Sequence, residues 1–295
     1  MYDSESVKLN SSAGLASVAV ASILVVLKSW ALWQTGSLSI GASLADSALD
    51  LLISVLGLLT ILYAAKPADH DHSFGHGSAE DLVSLGQSLF IAASAGIIIW
   101  TSIERLLTPG TQHIGSEGAG ITVMVVSIVL TLALVIWQGR VAKKTGNKVV
   151  AADRLHYVGD MIPALGAIFA LWAAQTFGWQ RVDPIVALIA ALVMLKGAWS
   201  IGTGGWNALM DGAVAPEIIA DIERIATEHE GVMAFHDLKT RTAGATMFVQ
   251  LHVELEGGQT LEEAHDIAAR LKHEIIDAYP NADVIIHKDV WRPAN

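Results

Sequence analysis

The chain has 295 residues, 53% of them hydrophobic and only 16% charged, a balance too apolar for an ordinary water-soluble domain. It contains no cysteine, which excludes disulfides and thiolate metal ligands, so any metal must be held by nitrogen and oxygen. Most of the formal net charge of −11 falls in residues 212–295, which carry 15 Asp and Glu against 7 Lys and Arg; that acidity argues against a nucleic-acid partner and suits cations.

The first residues, MYDSESVKLNSS, lack a basic leader, and no small-residue cleavage site clearly ends the first apolar stretch, which therefore reads as a retained helix. A helix crossing roughly 30 Å of hydrocarbon needs about 20 mostly apolar residues. Six segments meet that length: 12–33, 38–64, 81–107, 118–142, 149–177 and 184–206. An even number of spans puts both termini on one side. Lys8, Lys66, Arg140, Lys143, Lys144 and Lys148 fall on one set of connecting segments, against only Arg181 and the borderline Arg105 on the other, so the termini are expected to be cytoplasmic. Trp30, Trp33, Trp100, Trp137 and Trp179 lie near the expected helix ends, and Asp183-Pro184 offers an N-cap and a first-turn proline to the last span.

Beyond residue 211 the pattern becomes that of a soluble sequence. Helical periodicity recurs over 216–230 and 261–279, and alternation over 247–255 and 282–290. A third strand is expected near 234–242, joined to 247–255 through Ala243-Gly244. The order αββαβ predicts a small two-layer α+β unit. The expected division is a membrane domain over 1–211 and a soluble domain over 212–295.

The second span contains Asp46 and Asp50, whose i, i+4 spacing stacks two mutually repelling carboxylates on one helical face. The fifth contains His156 and Asp160 at the same spacing. A charge at a membrane helix centre costs about 2.5–3.5 kcal/mol on insertion scales, and a divalent cation compensates all four groups at once. Three carboxylates with one imidazole suit tetrahedral zinc at about 2.0–2.2 Å, and octahedral iron or manganese can use the same atoms. The alternative, that these side chains only hydrogen-bond between helices, is the weaker reading for two matched pairs. Pro163 either kinks the helix beside this site or serves packing. Asp153 shares the face of His156 one turn nearer the cytoplasmic end and is read as a solvated end residue.

The loop PADHDHSFGHG (67–77) packs three His and two Asp into eight residues, a density that favours a metal over a solvated turn. In the tail, alternation places His252 with Phe248, Gln250 and Glu254, away from Val249, Leu251 and Val253; His287 and Asp289 also share a face.

Asp-x-x-x-Asp on the second span, His-x-x-x-Asp on the fifth, six spans and an α+β tail resemble the cation diffusion facilitator family, and within it the bacterial YiiP/FieF-like zinc and ferrous-iron efflux branch. The resemblance covers essentially the whole chain, including 67–77 and HDLKTRTAG (236–244). It implies a homodimer spanning the bacterial inner membrane, which exchanges cytoplasmic metal for external protons by alternating access. Zn2+ is the expected substrate, with Cd2+, Fe2+ and Mn2+ as alternatives, and the tail is expected to be ferredoxin-like or metallochaperone-like. The implied transport site is Asp46, Asp50, His156 and Asp160. A loop site of Asp69, His72 and His76 is implied as well. So is a two-metal tail site of His236, His252, His287 and Asp289, with His265 supporting. Where the branch has a lysine after His-Gly this chain has Ser78, which removes that lysine's pairing with an acid at the position of Asp211.

A nucleotide partner is not expected, since no Gly-x-x-x-x-Gly-Lys loop occurs, and a metalloenzyme is disfavoured because no His-Glu-x-x-His occurs. A membrane metal sensor or scaffold that does not transport is the alternative, although a sensor has no need of acids at mid-membrane depth.

Overall fold

The computed structural model describes residues 4–35, 38–107, 118–161 and 182–292. The long uncharged runs become long helices: α1 (Ser4–Thr35), α2 (Leu38–Ala64), α3 (Ser78–Leu107), α4 (Gly118–Thr145), α5 (148–161) and α6 (Val182–Leu209). Among the described residues, five helices are long and apolar enough to cross a membrane. Residues 162–177 of the expected fifth span, with Pro163, lie outside the described residues, as do Trp179 and Arg181. α1 starts at Ser4 and α3 at Ser78, both earlier than the apolar runs they contain. Hydropathy marks only the lipid-crossing part of a helix, whereas backbone hydrogen bonding continues through polar turns.

α1 packs on α2 and α4, and α3 packs along α6. Large apolar side chains such as Leu52, Trp100 and Trp199 point outward, as lipid contact requires. Small residues let helices approach closely: a Cβ at Gly159 of α5 would overlap the Met194 side chain of α6. α5 begins where the Asn147 carboxamide oxygen accepts the Val150 N–H at 2.9 Å, an N-cap.

The tail follows the expected order: α7 (Pro216–Glu228), β1 (Val232–Ala243), β2 (Thr246–Leu255), α8 (Leu261–Ala278) and β3 (Ala282–Val290). The sheet order is β1-β2-β3, antiparallel between β1 and β2 and parallel between β2 and β3. α7 offers Ile222 and Ala226, and α8 offers Leu271 and Ile275, to Val249, Leu251 and Val253 on one sheet face. A capping box of Thr260 and Glu263 starts α8.

The tail is tied to the helices at the β1–β2 turn. Asp81, in the first turn of α3 and fully buried, accepts from Lys148 Nζ at 2.6 Å on one oxygen and from the Gly244 N–H at 2.7 Å on the other. Gly77 passes so close that a Cβ there would lie 2.5 Å from the Ala243 carbonyl oxygen. Beside this, Arg241 pairs with Asp211 at 3.3 Å and stacks over Phe248 and Phe74. Phe248 is therefore buried on the otherwise polar face, covered by a residue of the loop between α2 and α3. With serine at 78, Asp211 takes its cation from β1 of its own chain.

Candidate metal centres

α2 and α5 bring Asp50, His156 and Asp160 together, with one ligand atom from each lying within 4.8 Å of the others. His156 Nε2 is 2.9 Å from Asp50 Oδ1 and 3.7 Å from Asp160 Oδ2. The His156 and Asp50 side chains are mostly buried and that of Asp160 is half exposed. Phe90 of α3 meets the His156 ring edge-on at 5.8 Å. Asp46 is exposed and falls outside this set of ligand atoms. His156 and Asp160 converge at the same i, i+4 spacing, so the spacing places Cβ atoms on one face and leaves the direction of the Asp46 carboxylate open.

Asp153 is not a solvated end residue. Ser17 Oγ of α1 and Gln138 Nε2 of α4 each donate to its Oδ2 at 2.6 Å, and it is 5% exposed. Neighbouring helices cover that turn, and a further chain of hydroxyls, Ser17, Ser54 and Tyr157, fills the same space.

In the loop between α2 and α3, Asp69 accepts the N–H groups of His72 at 2.7 Å and Asp71 at 3.0 Å. The His72 N–H above all holds its carboxyl below the usual carboxylate range. Its oxygens lie 3.4 Å from His72 Nδ1 and 3.3 Å from His76 Nε2, and the three residues form a second potential ligand group. His76 is buried against Tyr63, with Nδ1 lacking a hydrogen-bond partner. One buried imidazole and two exposed ligands held by a backbone turn fit a nitrogen- and oxygen-liganded divalent ion.

In the tail, His236, His252 and His287 lie in register across β1, β2 and β3, their rings 5.1 and 4.5 Å apart. A bulge between His236 and Lys239, with Asp237 at φ 51°, interrupts the β1–β2 pairing beside the row. Asp289 Oδ2 is 2.9 Å from His252 Nδ1 and 3.5 Å from His236 Nε2, while Oδ1 is 3.4 Å from His287 Nε2. The hydrogen bond to His252 leads the effects that hold this carboxyl below its ordinary range. His236, His252 and Asp289 form the third ligand group, flanked by His287 and by Glu254 at 3.2 Å from His236. His265, on α8, is outside it.

Two features were not singled out from the sequence. Lys28, inside the apolar run of α1, donates from Nζ to Ser47 Oγ at 2.7 Å, one residue from Asp46. A lysine within a membrane span is itself the signal that finds it. The Asp81–Lys148 pair had no local signature, because its partners are far apart in the chain.

Residues 14–210 match the family described as Cation efflux transmembrane domain, and residues 214–290 the one described as Cation efflux protein, cytoplasmic domain. The chain is 40% identical over 282 residues to the cation-efflux pump FieF of Klebsiella pneumoniae, covering 96% of this chain and 93% of that protein. The FieF proteins of Citrobacter koseri and Salmonella newport are 39% identical over the same shares.

Proposed function

Because the chain belongs to the cation diffusion facilitator family of cation efflux transporters, we propose that it exports a divalent transition metal, zinc foremost, in exchange for protons. The observation that carries this reading is His156 held between Asp50 and Asp160 on two membrane helices. Zinc needs deprotonated ligands, so a metal that binds displaces protons from the imidazole or a carboxylate, and a proton that binds weakens the metal. Opened toward the cytoplasm, the site loads metal; opened toward a more acidic space, it takes protons and discharges it. Asp46 joins the other three ligands by a rotamer change or a small movement of α2. Cd2+, Fe2+ and Mn2+ suit the same donors and are the competing substrates.

Residues 1–211 form the transport domain in this reading and 212–295 a cytoplasmic regulatory domain, with both termini cytoplasmic and two copies associating through their tails. Asp69, His72 and His76 hold one resident ion. His236, His252, His287 and Asp289 hold the tail metal, and His265 needs a partner chain to take part. The test is metal uptake into proteoliposomes under an imposed pH gradient, comparing zinc, cadmium, iron and manganese. Gradient-driven zinc flux that Asp50→Ala abolishes is the expected result. Metal binding without flux for any ion would instead support a sensor.

A further inference from the structure

α1 carries a single ionisable residue within 12–33, Lys28. It lies seven residues before Thr35, about 10 Å from that helix end at 1.5 Å per residue, near enough for a lysine to extend its ammonium to the interface. It turns inward instead, onto Ser47 Oγ at 2.7 Å, and Ser47 is 1% exposed. Ser47 follows Asp46 and precedes Asp50 by three residues on the helix that supplies both acids. The ammonium is thus held by the residue that lies between Asp46 and Asp50 in α2, two of the three acids of the proposed transport site.

We infer that Lys28 is the resident counter-charge of the transport site, a specificity-determining residue that sets at two the charge of the cation accepted there. This rests on the transport-site reading above. An ammonium has three donors and no lone pair, so it does not ligate metal; it acts through its charge. Three ionised carboxylates and one ammonium leave two negative charges, which one divalent cation cancels. A monovalent ion leaves the site negative and a trivalent ion leaves it positive. A net charge is costly where water is scarce. Without Lys28 the same acids are neutralised by a trivalent ion. The hydrogen bond to Ser47 keeps the ammonium beside the acids and away from the interface.

Removal of the charge strengthens cation binding, and more so for a trivalent ion, because repulsion scales with the charge of the ion. Zinc binding by the full-length protein in nanodiscs is measured by calorimetry, and the increment lost in Asp50→Ala is assigned to the transport site. Terbium(III) is measured by competition for the same increment. Lys28→Gln is expected to tighten zinc binding by about tenfold and to raise the terbium-to-zinc affinity ratio further. Lys28→Arg is expected to stay near wild type, and zinc release in liposomes to slow in Lys28→Gln. Ser47→Ala removes that hydrogen bond and shifts both values in the same direction by less; it carries the test if Lys28→Gln does not fold. The inference is overturned if zinc affinity and the terbium ratio stay within about twofold of wild type, or if arginine changes them as much as glutamine does. A wild type without zinc flux but with the binding shift refutes transport alone, whereas flux without the shift refutes the role of Lys28 alone.

Discussion

Two hydrogen bonds of 2.6 Å on a single carboxylate oxygen hold Asp153 inside the helix bundle. Truncation to alanine leaves the Gln138 amide without its acceptor, whereas the Ser17 hydroxyl can turn to Ser54 at 2.8 Å, and a buried unpaired group costs about 1–3 kcal/mol. Asp153→Ala is expected to lower the melting temperature in detergent, while Asp153→Asn, which keeps an acceptor oxygen, recovers most of it. Equal melting of the two variants would mean that these hydrogen bonds contribute little. Asp221 in the tail shows a charged group acting on pH dependence. Arg224 and then the Tyr279 hydroxyl hold its carboxyl below the ordinary range. A depressed folded value means that the ionised form adds stability above the unfolded value of about 3.9, and that this is lost as pH falls through the lower folded value. Asp221→Asn is therefore expected to speed hydrogen exchange in α7 at pH 7 and to match wild type near pH 2. A difference that persists in acid would rule out the charge as its cause.

At the scale of elements, α3 and α5 meet the β1–β2 turn through Asp81, which no single segment reveals. One buried carboxylate receives Lys148 from α5 and a backbone N–H from the tail, so three separate parts of the chain share one anion. Breaking one side of a buried ion pair strands a charge, whereas replacing both partners with apolar groups does not. Lys148→Met is thus expected to destabilise the protein more than the double variant Asp81→Leu with Lys148→Met, as read by thermal unfolding in detergent. The reverse order would show that the Gly244 hydrogen bond, and not the ion pair, governs the junction. The same elements explain why helix types were legible and their ends less so. The apolar runs of α1 and α3 are evident, but Ser4 and Ser78 begin their helices in polar sequence, where periodicity carries no signal. The strands were easier to delimit, since Val249, Leu251 and Val253 alternate with polar neighbours that face away from the helices.

For the whole molecule, the relevant quantity is the charge gathered in the tail, 15 acidic against 7 basic residues in 212–295. In the proposed dimer two such tails would repel, and divalent ions at the proposed site of the histidine row and Asp289 would reduce that repulsion. Because linkage is reciprocal, metal that favours closed tails gains affinity from closure, and cytosolic metal can bias the transporter toward its working arrangement. Ala substitution of both His287 and Asp289 is expected to raise the zinc concentration for half-maximal flux without abolishing flux. Unchanged flux kinetics would mean that the tail metals do not regulate.

The sequence by itself determined the apolar helices and the αββαβ tail, because each rests on short-range periodicity, and it offered the i, i+4 pairs Asp46–Asp50 and His156–Asp160 as candidate ligands. The loop set of Asp69, His72 and His76 and the tail set of His236, His252, His287 and Asp289 came from the resemblance to the family, since spacing alone does not say which side chains ligate. Only the tertiary structure decided which ligands meet. It left Asp46 and His265 outside their groups, buried Asp153, turned Lys28 inward and paired Asp211 with Arg241. The physical reason is that spacing along a helix or strand places a Cβ on a face, whereas burial and the direction of a side chain's polar end depend on which other element covers that face.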